Sequence, residues 1–159
     1  MLRRIVDFAL DDEGDWTAIL DCGHPQHVRH NPPFINRPWT KTRKGRQSKL
    51  GERLDCLRCD RLEIPDSCRP AGRTPTYSDA TAPLKLLEKK AGPTGVWTRI
   101  TVLAGYLHLQ TECLSDPQAL SPAKPGIVAP GMHYRLAPLA GARFFLTFYA
   151  TPVADWQPS

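Results

Sequence analysis

No apolar run in this 159-residue chain approaches the roughly 18–20 residues that a membrane-spanning helix needs. The N-terminal run Met1-Leu2-Arg3-Arg4-Ile5 turns acidic by Asp7 and lacks the apolar core of a signal peptide, which predicts a cytoplasmic protein with no membrane partner. The chain has no Gly-x-Ser-x-Gly elbow, P-loop, dinucleotide fingerprint or His-Glu-x-x-His pair, so these common catalytic signatures are missing and no catalytic residue is assigned. It has no internal repeat and no low-complexity tract. What is present is the composition of a folded chain, 41% hydrophobic and 23% charged. In a reducing compartment its five cysteines are expected as thiols or metal ligands rather than disulfides.

The net charge of +5 is unevenly placed. Between Arg29 and Arg53 stand eight basic residues and one acid, Glu52, which makes that segment +7 and the remainder −2. Arg37, Lys41, Arg43, Lys44 and Arg46 form its centre, with Phe34 and Trp39 between and beside them. A basic run with interleaved aromatics suits an anionic partner, either nucleic acid or an acidic protein, although many such runs serve only as solvated loops.

Two patterns organise the chain. Ile5, Phe8 and Leu10 lead into the acidic turn Asp11-Asp12-Glu13-Gly14-Asp15 and out through Trp16 to Leu20, which predicts an antiparallel hairpin. Residues 46–61 read as a short helix ending near Cys56 and Cys59. Prolines at 65, 70, 75 and 83 mark a linker, placed at 63–72. Beyond it the chain is all β. The runs 95–103 and 106–109 form a predicted hairpin turned at Ala104-Gly105, and further short strands follow at 127–129, 132–137 and 143–149. Such spacing means a sandwich or small barrel.

Cys22-x-His24 and, about thirty residues on, Cys56-x-x-Cys59 supply four ligands in two close pairs. Zinc takes four such ligands as a tetrahedron, and tight turns deliver each pair to one ion. His27 and His30 are rival ligands, able to replace His24 or to stand behind it. Four protein ligands leave no place for substrate, so this zinc would be structural. A unit of about 60 residues with few large aliphatics needs such a staple.

Residues 3–60 carry the string Cys22-Gly23-His24-Pro25-Gln26-His27-Val28-Arg29-His30, then Pro32-Pro33, Arg37-Pro38-Trp39, Gly45-Arg46, Gly51 and Cys56-x-x-Cys59. On these strings the region resembles a small proteobacterial domain family of unknown function. The resemblance implies a domain boundary and no activity.

Residues 73–150 carry Arg73-Thr74-Pro75, Gly95-Val96-Trp97-x-Arg99-Ile100-x-Val102-Leu103-x-Gly105, Ile127-Val128-x-Pro130-x-x-His133 and Phe144-Phe145-Leu146-x-Phe148-Tyr149. These resemble the tellurite-resistance TehB/YeaR-like cupin family. The resemblance implies a double-stranded β-helix barrel, a role in stress tolerance toward oxyanions or nitrogen oxides, and dimerisation of the cupin kind. It also implies metal-binding histidines, most of which are missing. Thr98 stands where a cupin glutamate would fall and Lys90 where the family usually has histidine, leaving His133.

The expected protein is therefore mainly β. A zinc-stapled hairpin module (1–62) precedes a cupin-like double-stranded β-helix barrel (73–152), and the function is non-enzymatic binding or sensing in a bacterial stress response. The barrel pocket is expected to gather His133, Lys90, Arg99 and His108 around a small anion. The rivals are a cupin enzyme with its metal held by His133, His108 and Glu112, and nucleic-acid binding through residues 29–53. Cys68 and Cys113 have no assigned role.

Overall fold

Asp11 closes the first reversal of the chain. Its Oδ1 accepts hydrogen bonds from the backbone N–H of Glu13 (3.0 Å) and Asp15 (2.8 Å), and Gly14 supplies the left-handed residue at φ +82°. The computed structural model describes residues 1–154 and divides into two units, Met1–Ser67 and Cys68–Ser159.

In the first unit the predicted hairpin is present as β1 (Leu2–Leu10) and β2 (Trp16–Leu20), paired antiparallel with Leu10 opposite Trp16 and Ile5 opposite Leu20. β3 (Pro25–His27) adds to β2, and β4 (Arg53–Asp55) adds to the other side of β1, giving the order β3-β2-β1-β4. The helix predicted over 46–61 is not formed as one element. A turn of 3₁₀ helix at Pro38–Lys41 leads into α1 (Arg43–Gln47), then β4, then α2 (Leu57–Asp60). Gly51 at φ +85° reverses the chain, and its N–H donates to the Ile5 carbonyl at 2.8 Å, so pairing with β1 replaces helical propagation. The buried side chains of this unit are few: Ile5, Ala18, Leu20, Val28 and Pro65, the hydroxyl residues Thr17 and Thr40, and Cys22, His24, Cys56 and Cys59.

The second unit begins inside the segment that the prolines mark as a linker. β5 (Arg69–Arg73) pairs with β13 (Arg143–Ala150), as does β6 (Tyr77–Ser78). After α3 (Leu84–Leu87) come β7 (Lys90–Ala91), β8 (Val96–Ala104), β9 (Leu107–Thr111), β10 (Gln118–Leu120), β11 (Gly126–Val128) and β12 (His133–Pro138). They form two sheets, one ordered β10-β9-β12-β7 and the other β11-β8-β13-β5 with β6 beside β13. β8 and β9 are not the expected hairpin, for they lie in different sheets. Gly105, at φ +67°, turns the chain from one sheet to the other, where an added Cβ would stand 3.0 Å from Ala142 and Gly141 backbone atoms.

The sheets face each other. A Cβ on Gly126 of β11 would come within 2.6 Å of Leu120 Cδ1 and 3.0 Å of Leu109 Cδ2 on the opposite sheet. Between them lie Ile100, Leu107, Leu109, Leu120, Leu136, Phe144 and Leu146, all essentially without exposure. Among the described residues no strand pairing joins the two sheets into a ring, and the unit is a pair of facing sheets.

Candidate metal centre

Each half of the cluster is set by a local turn. Gly23, at φ +86°, donates its N–H to the Leu20 carbonyl (2.8 Å), and Leu20 N–H donates to the His24 carbonyl (3.0 Å). This tight reversal at the end of β2 turns Cys22 and His24 to one side. Cys56 precedes α2, and the N–H groups of Cys59 and Asp60 return to its carbonyl at 3.1 and 3.3 Å. That single helical turn sets Cys56 and Cys59 side by side. Pairing of β4 with β1 carries the second pair to the first, and Cys56 N–H donates to the Met1 carbonyl at 2.8 Å.

The four ligand atoms lie within 4.8 Å of one another and all four residues are buried. His24 Nδ1 is 3.5 Å from Cys22 Sγ, 3.4 Å from Cys56 Sγ and 3.6 Å from Cys59 Sγ, and Cys22 Sγ is 3.9 Å from Cys56 Sγ. A tetrahedral ion with metal–sulfur bonds of about 2.3 Å and a metal–nitrogen bond of about 2.0–2.1 Å requires sulfur–nitrogen edges of about 3.5 Å and sulfur–sulfur edges of about 3.8 Å. The three sulfur–nitrogen edges and the Cys22–Cys56 edge agree with these values, so this group of three thiols and one imidazole can hold a metal ion.

The protons of the cluster point the same way. A hydrogen bond from Cys59 pulls the Cys22 thiol down to about 4, while that bond and burial push Cys59 up. Burial also raises Cys56. One thiolate is thus reached easily and the next two are opposed by desolvation and by the first charge, which a bound cation would offset.

The rival histidines stand elsewhere. His27 Nδ1 is 3.2 Å from Asp11 Oδ2 on an exposed edge, and His30 Nδ1 accepts from the Arg37 N–H at 2.9 Å.

The second unit does not gather its expected pocket. Lys90 stands opposite Tyr134, with Nζ 5.6 Å from the ring centroid, and its burial lowers the ammonium pKa. His133 and Arg99 are exposed, on β12 and β8 in different sheets. His108 lies opposite Ala137 on β9, whereas His133 meets Glu112 four residues further along, which separates their backbone positions by about 14 Å at about 3.4 Å per residue. They cannot share one ion, and this overturns the cupin metal set of His133, His108 and Glu112. What His133 does have is Glu112, with Nδ1 to Oε2 at 3.2 Å and its backbone N–H to Oε1 at 3.3 Å. The pair opens on a cavity of about 420 Å³ that Lys89 and Arg135 also line. Lys89 escaped the sequence reading because only Lys90 occupies a position the family resemblance marks.

The basic segment is largely without counter-charge. Among the described residues Arg37, Lys41, Arg43 and Lys44 form no ion pair, whereas Arg29 meets Glu13 and Asp15, and Lys49 meets Glu52. Arg46 lies over the Trp16 ring, Cζ 3.4 Å from the centroid, and donates to the Thr40 carbonyl. Trp16 was not singled out from sequence, since it is remote from the basic run and reads as a strand residue.

Residues 6–63 match the family described as a protein of unknown function (DUF3565), and residues 72–146 match the TehB-like domain. The chain therefore carries an N-terminal DUF3565 domain joined to a C-terminal TehB-like domain. Among solved structures, TehB from Haemophilus influenzae is similar at 22% identity and a TM-score of 0.50, over 54% of this chain and 32% of that one. The chain thus spans about a third of the TehB chain's length, and the likeness is one of fold. A protein from E. coli strain K12 is similar at 21% identity and a TM-score of 0.49, over 57% of this chain and 97% of that one. Among curated proteins none matches significantly.

Proposed function

We propose that the chain is a non-enzymatic binding or sensing protein of a bacterial stress response, stapled by a structural zinc ion on Cys22, His24, Cys56 and Cys59. The observation that carries the zinc reading is the set of edges from His24 Nδ1 to three sulfurs, 3.4–3.6 Å, which matches a tetrahedral zinc site. Three thiolates and an imidazole favour zinc over magnesium or calcium, which take oxygen ligands. Burial of all four residues fits a closed site that supplies folding energy and has no open position for substrate. The small aliphatic core supports the same reading. Ile5, Leu20 and Val28 contribute about 1.5–3 kcal/mol each, which is little against the cost of ordering a unit of this size.

The stress-response part rests on the TehB-like domain, together with the cavity beside His133. Tight aliphatic packing between the sheets leaves the rim of the unit as the place for a ligand. There Lys89 and Arg135 offer two positive groups to a small oxyanion, and the His133 imidazole, held by Glu112, stands beside them as a further hydrogen-bonding group. The domain division, a module at 1–62 and a cupin-type barrel at 73–152, belongs to the same proposal, as does a cytoplasmic location.

Metal analysis of the purified chain tests the zinc reading, with stoichiometric zinc expected and its absence overturning it. Calorimetric titration with nitrite and tellurite tests the rim, where binding lost in His133→Ala is expected and no heat from either anion removes the ligand.

A further inference from the structure

We propose that the first unit carries a binding site for single-stranded nucleic acid, in which one base enters the pocket between Trp16, Arg46 and Asp7 while flanking phosphates lie on Arg43 and Lys44. The pocket holds about 370 Å³, at the lower end of the roughly 300–1,000 Å³ of ligand sites, and Phe8 and Leu50 complete its apolar wall. Its floor is a stacking platform. The Arg46 guanidinium sits over Trp16 with Cζ 3.4 Å from the ring centroid, and its bond to the Thr40 carbonyl holds it there. Bases stack on aromatic rings and on arginine planes alike.

The charge around the pocket is the second observation. Arg43 lines it, Lys44 follows on the exposed first turn of α1, and Lys41 precedes them, none with an acidic partner among the described residues. Phe34, 90% exposed in the loop before these residues, offers a second ring for a neighbouring base.

Asp7 distinguishes a base site from a bare phosphate site. One carboxylate oxygen accepts the Phe8 N–H at 2.7 Å, and the side chain has no cation partner among the described residues although it lines the pocket with two arginines. A carboxylate repels phosphate but accepts from an exocyclic amino group, as on cytosine. The pocket therefore favours a base bearing an amino group, and a strand over a duplex, whose bases stay stacked.

The test is fluorescence anisotropy with the full, metal-loaded chain and labelled oligonucleotides of about 12 nucleotides at about 50 mM salt. Oligo-dC is expected to bind more tightly than oligo-dT, than a duplex and than a cytidine mononucleotide. The logarithm of the affinity should fall against the logarithm of salt with a slope near −2, the value for about three phosphate contacts on a single strand. The Arg43→Ala/Lys44→Ala pair should weaken binding at least tenfold and flatten the slope by about 1.4. Asp7→Asn should narrow the oligo-dC preference with the slope unchanged, and Trp16→Leu should weaken every oligonucleotide alike. The two exposed-residue variants keep the test decisive if Trp16→Leu does not fold. Equal affinity for duplex, heparin and single strand would overturn the proposal in favour of a general polyanion surface. So would a mononucleotide that binds as tightly as the strand, or binding indifferent to Asp7 and Arg43.

Discussion

The Sγ of Cys56 stands 3.4 Å from Nδ1 of His24, although 32 residues separate them in the chain. The contact is made by two short reversals and by the register of one strand pair, Leu2 opposite Asp55 and Arg4 opposite Arg53. Closing so long a loop on a small core is costly in entropy, and a bond through a metal would offset it.

With the proposed zinc at this site, removal of the metal should therefore unfold the first unit. Chelation at neutral pH is expected to abolish its cooperative transition, and Cys56→Ser to lower its midpoint by more than about 10 °C, given about 4–8 °C per kcal/mol for a domain of this size. Calorimetry with parallel metal analysis checks both. A Cys56→Ser chain that melts like the parent would remove the metal from the folding account.

His24 and His27 should separate cleanly. His24→Gln takes away the only imidazole in the cluster and is expected to lose zinc and the folded unit together. His27→Gln breaks an exposed pair with Asp11, and such pairs contribute about 0–1 kcal/mol, so zinc content and melting should stay near the parent. Equal loss from both variants would place His27 in the metal shell.

This separation marks how far the sequence is legible. The two ligand pairs and the β1–β2 hairpin can be read directly, because their signals are local: Cys-x-His, Cys-x-x-Cys, and apolar runs around an acidic turn. Which imidazole joins the sulfurs depends on the Gly23 turn, and three histidines within seven residues look alike before that turn is known. Likewise Lys90 and His133 occupy cupin-like positions, but register decides their faces. Lys90 falls opposite the buried Tyr134, and His133, one residue before Tyr134, falls on the outer face. The Trp16–Arg46 platform joins residues thirty apart with no shared motif, so no sequence signal could have found it.

Gly105 tests the way β8 passes to the facing sheet. Its φ of +67° disfavours any L side chain, and a Cβ would meet three backbone atoms at 3.0 Å, which cannot give way as a flexible side chain can. Gly105→Ala is expected to cost about 1–3 kcal/mol, lowering the midpoint of the second unit and leaving zinc content unchanged. Gly131, also at positive φ but with open space around its Cβ position, serves as the control and should lose less on the same substitution.

Tyr134 gives the second unit a defined alkaline limit. Burial raises its phenol from 10.0 to about 12, because the phenolate would be placed among core side chains without water. A folded pKa above the unfolded one means that the neutral form stabilises the fold. That contribution is fully present below pH 10 and is lost as pH rises from 10 toward 12. In absorbance titration one of the four tyrosines should ionise late, near pH 12, and its ionisation should coincide with loss of the second unit's structure. Tyr134→Phe should remove the late step and, having no proton to lose there, should hold its structure to higher pH than the parent relative to their stabilities at pH 8. Lys90 complicates the comparison in one direction only. Its pKa is lowered by burial, so its penalty on the folded state shrinks as pH rises through that lowered value and is gone above its ordinary 10.5. The Lys90→Met/Tyr134→Phe pair separates the two: against Tyr134→Phe, the added Lys90→Met should stabilise at neutral pH and make no difference above about pH 11. A late tyrosine that persists in Tyr134→Phe would assign the alkaline step to another residue.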